Sequence, residues 1–237
     1  RFEEACKNAG RWRDAANGNP VPISVNISRS EVAQPGLVEH LLDLREQYNL
    51  PADSIRLELT EGAFLDDEER LYDFIDQMHR HNLLIEMDDF GSSHSSINVL
   101  DDVHVDVVKL DMDLLRSAST DARSAIVLGS VIRMLQGLDT PIIAEGIETL
   151  EQAEILKNMG CHLMQGFYFS HPMPLEEFEG YMASNHTVEH AERRERKSSH
   201  LDGLLSIDPA SSFIFNHAMG GTMFFTTVDG TAESILA

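Results

Sequence analysis

Residues 84–91 have the sequence Leu-Ile-Glu-Met-Asp-Asp-Phe-Gly, and this stretch decides the fold prediction. It is a short apolar run that ends in two adjacent carboxylates, Asp88 and Asp89. Two such groups repel each other unless a cation or a proton lies between them. The stretch therefore indicates a strand that ends at a cation site, and the pattern recurs along the chain.

Short apolar segments alternate with amphipathic ones over most of the chain. The predicted strands are Pro22–Ser28, Ile55–Thr60, Leu83–Asp89, Val105–Asp111, Pro141–Glu145 and His162–Phe169. Helical spacing of apolar residues predicts helices at Leu37–Gln47, Glu68–Asn82, Ala122–Leu138, Leu150–Met159 and Leu175–Met182. This alternation predicts an α/β fold with parallel strands, either a closed barrel or an open doubly wound sheet. The sequence has no glycine-rich nucleotide-binding motif of the kind that would favour the open sheet.

Each predicted strand ends in polar side chains, which parallel strands would bring to one edge. The strand-end residues are Asn26, Glu58, Glu61, Asp88, Asp89, Lys109, Asp111, Glu145, Glu148 and Gln165. Because strand side chains alternate, Glu58 points away from Leu57 and Leu59, and toward the barrel interior if the leucines face the helices. Carboxylates without a histidine ligand favour Mg²⁺ or Mn²⁺ over zinc. Lys109 could hold a nucleophilic water or balance charge.

Each of these residues also has a simpler interpretation. Asp111 could cap a helix, and Glu148 could be a charge favoured at a helix start. Asn26 could form a turn, and Lys109 could belong to a structural ion pair. Six strand ends that carry such groups together favour the site over the separate interpretations.

Composition limits the class of protein. The chain has 237 residues and a formal charge of −22, which argues against binding to a DNA or RNA duplex. Its two cysteines lack a disulfide spacing, which indicates a reducing compartment, and we expect a cytoplasmic protein. The sequence has neither an initiator methionine nor a signal peptide at its start, so we expect a piece of a longer protein, and membrane anchoring of that protein stays open.

The texture of the sequence changes after the last predicted helix. We predict a first domain at 1–183, a charged linker at 184–210 and the start of a second domain at 211–237. The last segment contains Val228-Asp229-Gly230, which is typical of a hairpin end. It weakly resembles the start of a PAS sensor domain.

The strand-end motifs resemble those of the EAL-type cyclic-di-GMP phosphodiesterases over about residues 1–183. The matching segments, in the family order, are 25–28 (Val-Asn-Ile-Ser), 58–61 (Glu-Leu-Thr-Glu), 88–91 (Asp-Asp-Phe-Gly), 109–111 (Lys-Leu-Asp), 144–149 (Ala-Glu-Gly-Ile-Glu-Thr) and 165–172 (Gln-Gly-Phe-Tyr-Phe-Ser-His-Pro). The resemblance implies a TIM-like (β/α) barrel, with about six of its strands in this chain. It also implies cleavage of one phosphodiester of cyclic-di-GMP to linear pGpG with two Mg²⁺ or Mn²⁺ ions, a homodimer, and further sensor or cyclase domains in a parent chain.

The resemblance also implies residue roles. Asn26, Glu58 and Asp88 would bind one metal, and Asp88 would bridge to a second metal held by Asp89 and Glu145. Lys109 would contact the attacking water, and Glu148 and Gln165 would support the site. Glu61 would anchor the loop after Asp89.

Two departures from the family pattern keep alternatives open. The Glu-Ala-Leu signature would lie before Arg1, so we expect this piece alone to be impaired. Ser93 replaces a glycine of the loop and His94 follows it, which motivates a second hypothesis, a non-catalytic cyclic-di-GMP receptor or protein-interaction module. A third is an unrelated barrel enzyme that uses a lysine base and Mg²⁺ on a carboxylate substrate.

Overall fold

The structure, a computed structural model, describes residues 1–15, 22–65, 68–92, 96–184, 224–228 and 231–236. The strands are β1 (Ile23–Asn26), β2 (Ile55–Thr60), β3 (Leu84–Phe90), β4 (Val107–Leu110), β5 (Ile142–Ala144), β6 (Leu163–Met164), β7 (Phe224–Val228) and β8 (Thr231–Leu236). The α-helices are α1 (Phe2–Ala15), α2 (Arg29–Val32), α3 (Leu37–Gln47), α4 (Glu68–Arg80), α5 (Ser96–Asp102), α6 (Met112–Thr120), α7 (Ala122–Gly137), α8 (Leu150–Asn158) and α9 (Leu175–Ser184). A 3₁₀ helix spans Glu61–Leu65.

Strands β1 to β6 form one parallel sheet in the order of the sequence. The predicted α/β fold, a TIM-like (β/α) barrel with about six strands in this chain, is confirmed. Because every strand of this sheet runs in the same direction, their carboxyl ends share one edge. Strands β7 and β8 form a separate antiparallel pair.

The main hydrophobic core lies between the sheet and the helices. Leu57 and Leu59 of β2 have no exposed surface and belong to the same buried cluster as Leu41 of α3 and Met78 of α4. Glu58 between them is also buried, on the opposite face. Burial on both faces is the usual environment of a parallel sheet, and it explains the apolar strands.

Helix α1 was not predicted, although its sequence carries the signal. Phe2, Ala5, Ala9 and Trp12 are all buried. Their spacing of three and four residues is the pattern of one helix face. The helix also contacts the last helix of the sheet domain, because Trp12 Nε1 donates a hydrogen bond to Glu179 Oε1 at 3.1 Å.

The sixth strand is shorter than the predicted range His162–Phe169, which was wrong at both ends. Gly166 lies against the backbone of Ile147, where an added Cβ would stand 2.2 Å from the Ile147 nitrogen. Its φ of +156° lies at the edge of the range that L residues avoid. The Tyr168 nitrogen donates to the Ile147 carbonyl oxygen at 2.9 Å, so the chain turns here instead of continuing as a strand.

Several predictions concern parts of the chain for which the structure gives no description. The altered loop residues Ser93 and His94 lie outside the described residues, as does nearly all of the linker 184–210. The division into 1–183, 184–210 and 211–237 stays a prediction. In the described ranges we find no helix with the length and apolar character needed to cross a bilayer.

Candidate metal centre at the carboxyl ends of the strands

A buried lysine lies at the centre of the strand-end residues. Lys109 of β4 is 3% exposed, and its Nζ lies 2.8 Å from Glu58 Oε1, 3.2 Å from Asp88 Oδ1 and 2.6 Å from Glu145 Oε1. Burial alone would lower the pKa of the Lys109 ammonium, but Glu58, Glu145 and Asp88 together raise that pKa well above its ordinary value. Residues at the ends of four strands therefore place three carboxylates around one lysine ammonium.

Glu58 is the most deeply buried of these carboxylates, at 1% exposure. Its pKa is raised to about 8, first by burial and then by the charges of Glu86 and Asp88, against the lowering effect of Lys109. Its Oε1 accepts a hydrogen bond from Lys109, but its Oε2 is buried without a hydrogen-bond partner among the described residues. A buried carboxylate oxygen without a donor is a position that a cation can fill.

Asp88, Asp89 and Glu145 form a cluster that could hold a metal ion, since one carboxylate oxygen from each lies within 4.8 Å of the others. Adjacent residues of a regular strand would point to opposite faces. The register of β3 against β4 shifts between Met87 and Phe90, and Asp89 has a φ of +58°. This irregularity breaks the alternation and lets both aspartates serve one site.

The carboxylates of this cluster repel one another, and the raised pKa values of Asp89 and Glu145 reflect it. Burial, and then the charge of Asp88, raises the pKa of Asp89. Burial also raises the pKa of Glu145, with Lys109 opposing and Asp88 and Asp89 adding to the rise. A divalent cation would remove this repulsion, so the donor set fits a hard metal ion.

The other predicted site residues lie around this cluster in different environments. Asn26, at the end of β1, is paired in register with Glu58. Glu61 is buried, and its Oε2 accepts a hydrogen bond from the nitrogen of Gly91, two residues after Asp89, at 3.2 Å. Gln165 is 5% exposed, and its Oε1 is buried without a hydrogen-bond partner.

Two of the acidic residues at strand ends, Asp111 and Glu148, lie outside the cluster. Asp111 caps α6, with its side chain accepting a hydrogen bond from the Asp113 nitrogen, as the simpler interpretation proposed. Glu148 is 46% exposed and pairs with Arg116 Nη2 at 2.9 Å. A neighbouring capping box, formed by Thr149 and Gln152, starts α8 and fixes the chain at Glu148, whose nitrogen donates to Gln152 Oε1.

Two features of the inner face and the rim were missed from the sequence. Arg56 and Glu86 form an ion pair at 3.0 Å on the interior face of β2 and β3. The period-two alternation through Glu58 and Asp88 could have placed both residues on this face, but not in contact with each other. At the end of β6, the turn 167–169 exposes three aromatic side chains. The run Phe-Tyr-Phe looked like part of a strand, so its exposure was not predicted.

The chain is similar to a bacterial signaling protein and to a cyclic di-GMP phosphodiesterase. It is 32% identical over 181 residues to the signaling protein YkoW of Bacillus subtilis, covering 76% of this chain and 22% of YkoW. It is 29% identical over 177 residues to the cyclic di-GMP phosphodiesterase RocR of Pseudomonas aeruginosa, covering 75% of this chain and 45% of RocR. The chain therefore spans less than half the length of either curated relative.

Solved structures agree with this likeness. The structure described as the PaMucR phosphodiesterase in complex with c-di-GMP superposes with a TM-score of 0.69 at 29% identity. The match covers 75% of this chain and 71% of that one. The EAL domain model matches residues 1–172, which is most of the sequence and includes every strand of the parallel sheet. The chain belongs to the EAL domain family.

Proposed function

We propose that this protein hydrolyses one phosphodiester bond of cyclic-di-GMP to give linear pGpG, in bacterial second-messenger signalling. The observation that carries the proposal is the convergence of Glu58, Asp88 and Glu145 on the buried Lys109. The names of RocR, a cyclic di-GMP phosphodiesterase, and of the PaMucR complex support the choice of substrate.

Two Mg²⁺ or Mn²⁺ ions are the proposed cofactors, because the donors are carboxylate and amide oxygens. Asn26, Glu58 and Asp88 would hold one ion, and Asp88, Asp89 and Glu145 the other. The partnerless Glu58 Oε2 and the close Asp88, Asp89 and Glu145 oxygens support this assignment. When bound, such a pair makes water more acidic and neutralises charge on the phosphate and the leaving oxygen.

Residues of the chain itself orient the reactants. The Lys109 ammonium has three N–H donors, which the Glu58, Asp88 and Glu145 carboxylates occupy. An N–H released from one of these carboxylates when that carboxylate binds a cation would position the attacking water. The partnerless Gln165 Oε1 is available to accept a hydrogen bond from water or ligand. Glu148, held by Arg116, supports the site from its rim, and Glu61 anchors the loop through the Gly91 nitrogen.

The aromatic turn 167–169 suits the bases of the substrate. Phe167, Tyr168 and Phe169 are 53%, 43% and 41% exposed, just beyond the carboxyl end of β6. Aromatic faces stack on nucleobases without needing a hydrogen-bond pattern. We assign this turn to contact with a guanine base.

The proposal extends to partners and location. A homodimer is supported by Ile126 and Val127 on α7, which are 68% and 46% exposed, because apolar side chains on a helix favour contact with a partner surface. Sedimentation at increasing concentration tests it. A cytoplasmic location and further sensor or cyclase domains in a longer natural chain belong to the same proposal.

The test measures pGpG formation by chromatography with Mg²⁺ or Mn²⁺, for the natural full-length protein and for the 237-residue chain side by side. Asp88→Asn should reduce turnover by about a thousandfold, the scale of losing one electrostatic element of an active site. Asp101→Asn, at an exposed helix position, is the matched control and should be unchanged. Absence of pGpG with both metals, or equal activity of the two variants, would overturn the proposal.

A receptor that binds cyclic-di-GMP without cleaving it, or a protein-interaction module, is the second candidate. The sequence departures at Ser93 and His94, beside the aspartate pair, favour it. Calorimetry with cyclic-di-GMP separates the two functions. Heat of binding by a full-length protein that releases no pGpG selects the receptor.

A further inference from the structure

A second charged pair lies in the barrel interior, where Glu86 is paired in register with the proposed ligand Glu58 and Arg56 lies one step earlier on β2. Arg56 Nη1 contacts Glu86 Oε1 at 3.0 Å, with side chains 18% and 0% exposed. Arg56 precedes Glu58 by two residues on β2, and Glu86 precedes Asp88 by two residues on β3. Because strand side chains alternate, each member shares a face with the ligand above it.

The pair is poorly explained as a stabilising contact. Within the part of the chain that the structure describes, Glu86 Oε2 is buried without a hydrogen-bond partner, and so is Ser24 Oγ on β1, the strand next to β2. Replacing a buried ion pair by apolar side chains is often neutral or stabilising. The interior can take that alternative, because a second buried cluster of Val107, Ile143 and Leu163 lines it from β4, β5 and β6.

The charges of the pair reach the metal ligands. Glu86 stands opposite Glu58 on the adjacent strand, so its carboxylate lies beside a proposed metal ligand. Removing either member alone leaves a net charge in a low-dielectric interior, where charge–charge interactions are strong. The two members act in opposite directions on any cation held by Glu58 and Asp88.

We propose that Arg56 and Glu86 are positioning residues that set the cation affinity of this centre. The ion pair with Glu86 keeps the Arg56 guanidinium away from Glu58. Without Glu86, the guanidinium would pair with Glu58 and repel a cation. Arg56 in turn neutralises Glu86. Without Arg56, the negative charge of Glu86 would add to that of the metal ligands. The inference rests on the proposed metal centre, but it also predicts in which direction each substitution changes the cation affinity, which the metal centre alone does not predict.

The test is calorimetric titration of the 237-residue chain with Mn²⁺, without substrate. Glu86→Gln should weaken Mn²⁺ binding about tenfold, and Arg56→Gln should tighten it about tenfold, the scale expected for one unit charge nearby. The double variant, Arg56→Gln with Glu86→Gln, restores neutrality and should lie within about threefold of the unsubstituted chain. A purely structural pair predicts weaker binding in both single variants.

The outcomes separate this inference from the metal centre. The metal centre is wrong if the unsubstituted chain does not bind Mn²⁺, or if it binds Mn²⁺ and Asp88→Asn leaves that binding intact. If it binds Mn²⁺ and the two single variants shift affinity in the same direction, or not at all, only the role of the pair is wrong. If circular dichroism shows that a single variant does not fold, the double variant decides the question. A Mn²⁺ affinity of the double variant that differs more than tenfold from that of the unsubstituted chain overturns the positioning role of the pair.

Discussion

The two faces of the parallel sheet differ sharply in chemistry. The face toward the helices carries apolar side chains without exposed surface on β2 and β3, namely Leu57, Leu59, Ile85 and Met87. The interior face of the same strands concentrates charges, namely Arg56, Glu58, Glu86 and Asp88, of which Glu58 and Glu86 are fully buried. Apolar burial stabilises the fold, whereas buried charges with partnerless oxygens oppose it. Buried charges that oppose folding are expected at functional sites, so the interior face marks the function.

Lys109→Met should give the largest change in stability on the interior face. The substitution keeps the side-chain volume but leaves Glu58, Asp88 and Glu145 without their cation. Loss of one partner from a buried ionic group costs about 3–5 kcal/mol in the free energy of unfolding. Urea unfolding of the metal-free protein measures it.

Lys157 on α8 provides the control for this prediction, because it is exposed. Lys157→Met should change the free energy of unfolding by less than about 0.5 kcal/mol. If Lys109→Met were as harmless as Lys157→Met, the interior charges would not depend on the lysine.

Leu59→Ala should lower stability on the opposite face without touching the site. Leu59 has no exposed surface, and truncation of a buried leucine costs about 3 kcal/mol. Leu138→Ala, at a position 52% exposed, is the control and should cost much less. Mn²⁺ affinity of the folded Leu59→Ala protein should stay unchanged, and a large loss of affinity would mean that the two faces are not independent.

The difference between the faces explains what the sequence could predict of the fold. Alternation of apolar strands with amphipathic helices is a local signal, so the parallel α/β architecture followed from it. The end of β6 was missed because it depends on the approach of Gly166 to the Ile147 backbone, a contact between distant residues. Helix α1 was missed although its spacing of buried residues was present in the sequence.

The candidate site was predictable as a set of residue types and less so as a geometry. Strand-end position brought Glu58, Asp88, Lys109 and Glu145 together. The joint use of Asp88 and Asp89 needs the irregularity at the end of β3, which no spacing rule reveals. The ion pair of Arg56 with Glu86 depends on register between strands, which a single sequence does not specify.

Glu58 should give the interior face a pH dependence that the outer face lacks. Its pKa is about 8 in the folded protein against an ordinary value of 4.5, so between these pH values the folded state holds a proton that the unfolded state has released. The stabilising effect is complete below pH 4.5 and is lost as pH rises toward 8, by up to about 1.4 kcal/mol per pH unit. Glu58→Gln should flatten this slope.

Urea unfolding at several pH values in a chelator measures the slope for Glu58. Glu154→Gln, at an exposed position of α8, is the matched control and should keep the slope of the unsubstituted protein. Parallel curves for the Glu58→Gln protein and the unsubstituted protein would show that Glu58 titrates near its ordinary value.

Thr149→Ala should give the smallest effect, at an exposed helix start outside both faces. The Thr149 hydroxyl accepts a hydrogen bond from the Gln152 nitrogen and begins α8 next to Glu148. Loss of such a cap costs about 1 kcal/mol in the free energy of unfolding. Thr149→Ser keeps the hydroxyl and should recover most of this energy in urea unfolding. Equal losses for the two variants would assign the effect to the Thr149 methyl group and remove the cap from the elements that fix the chain at Glu148.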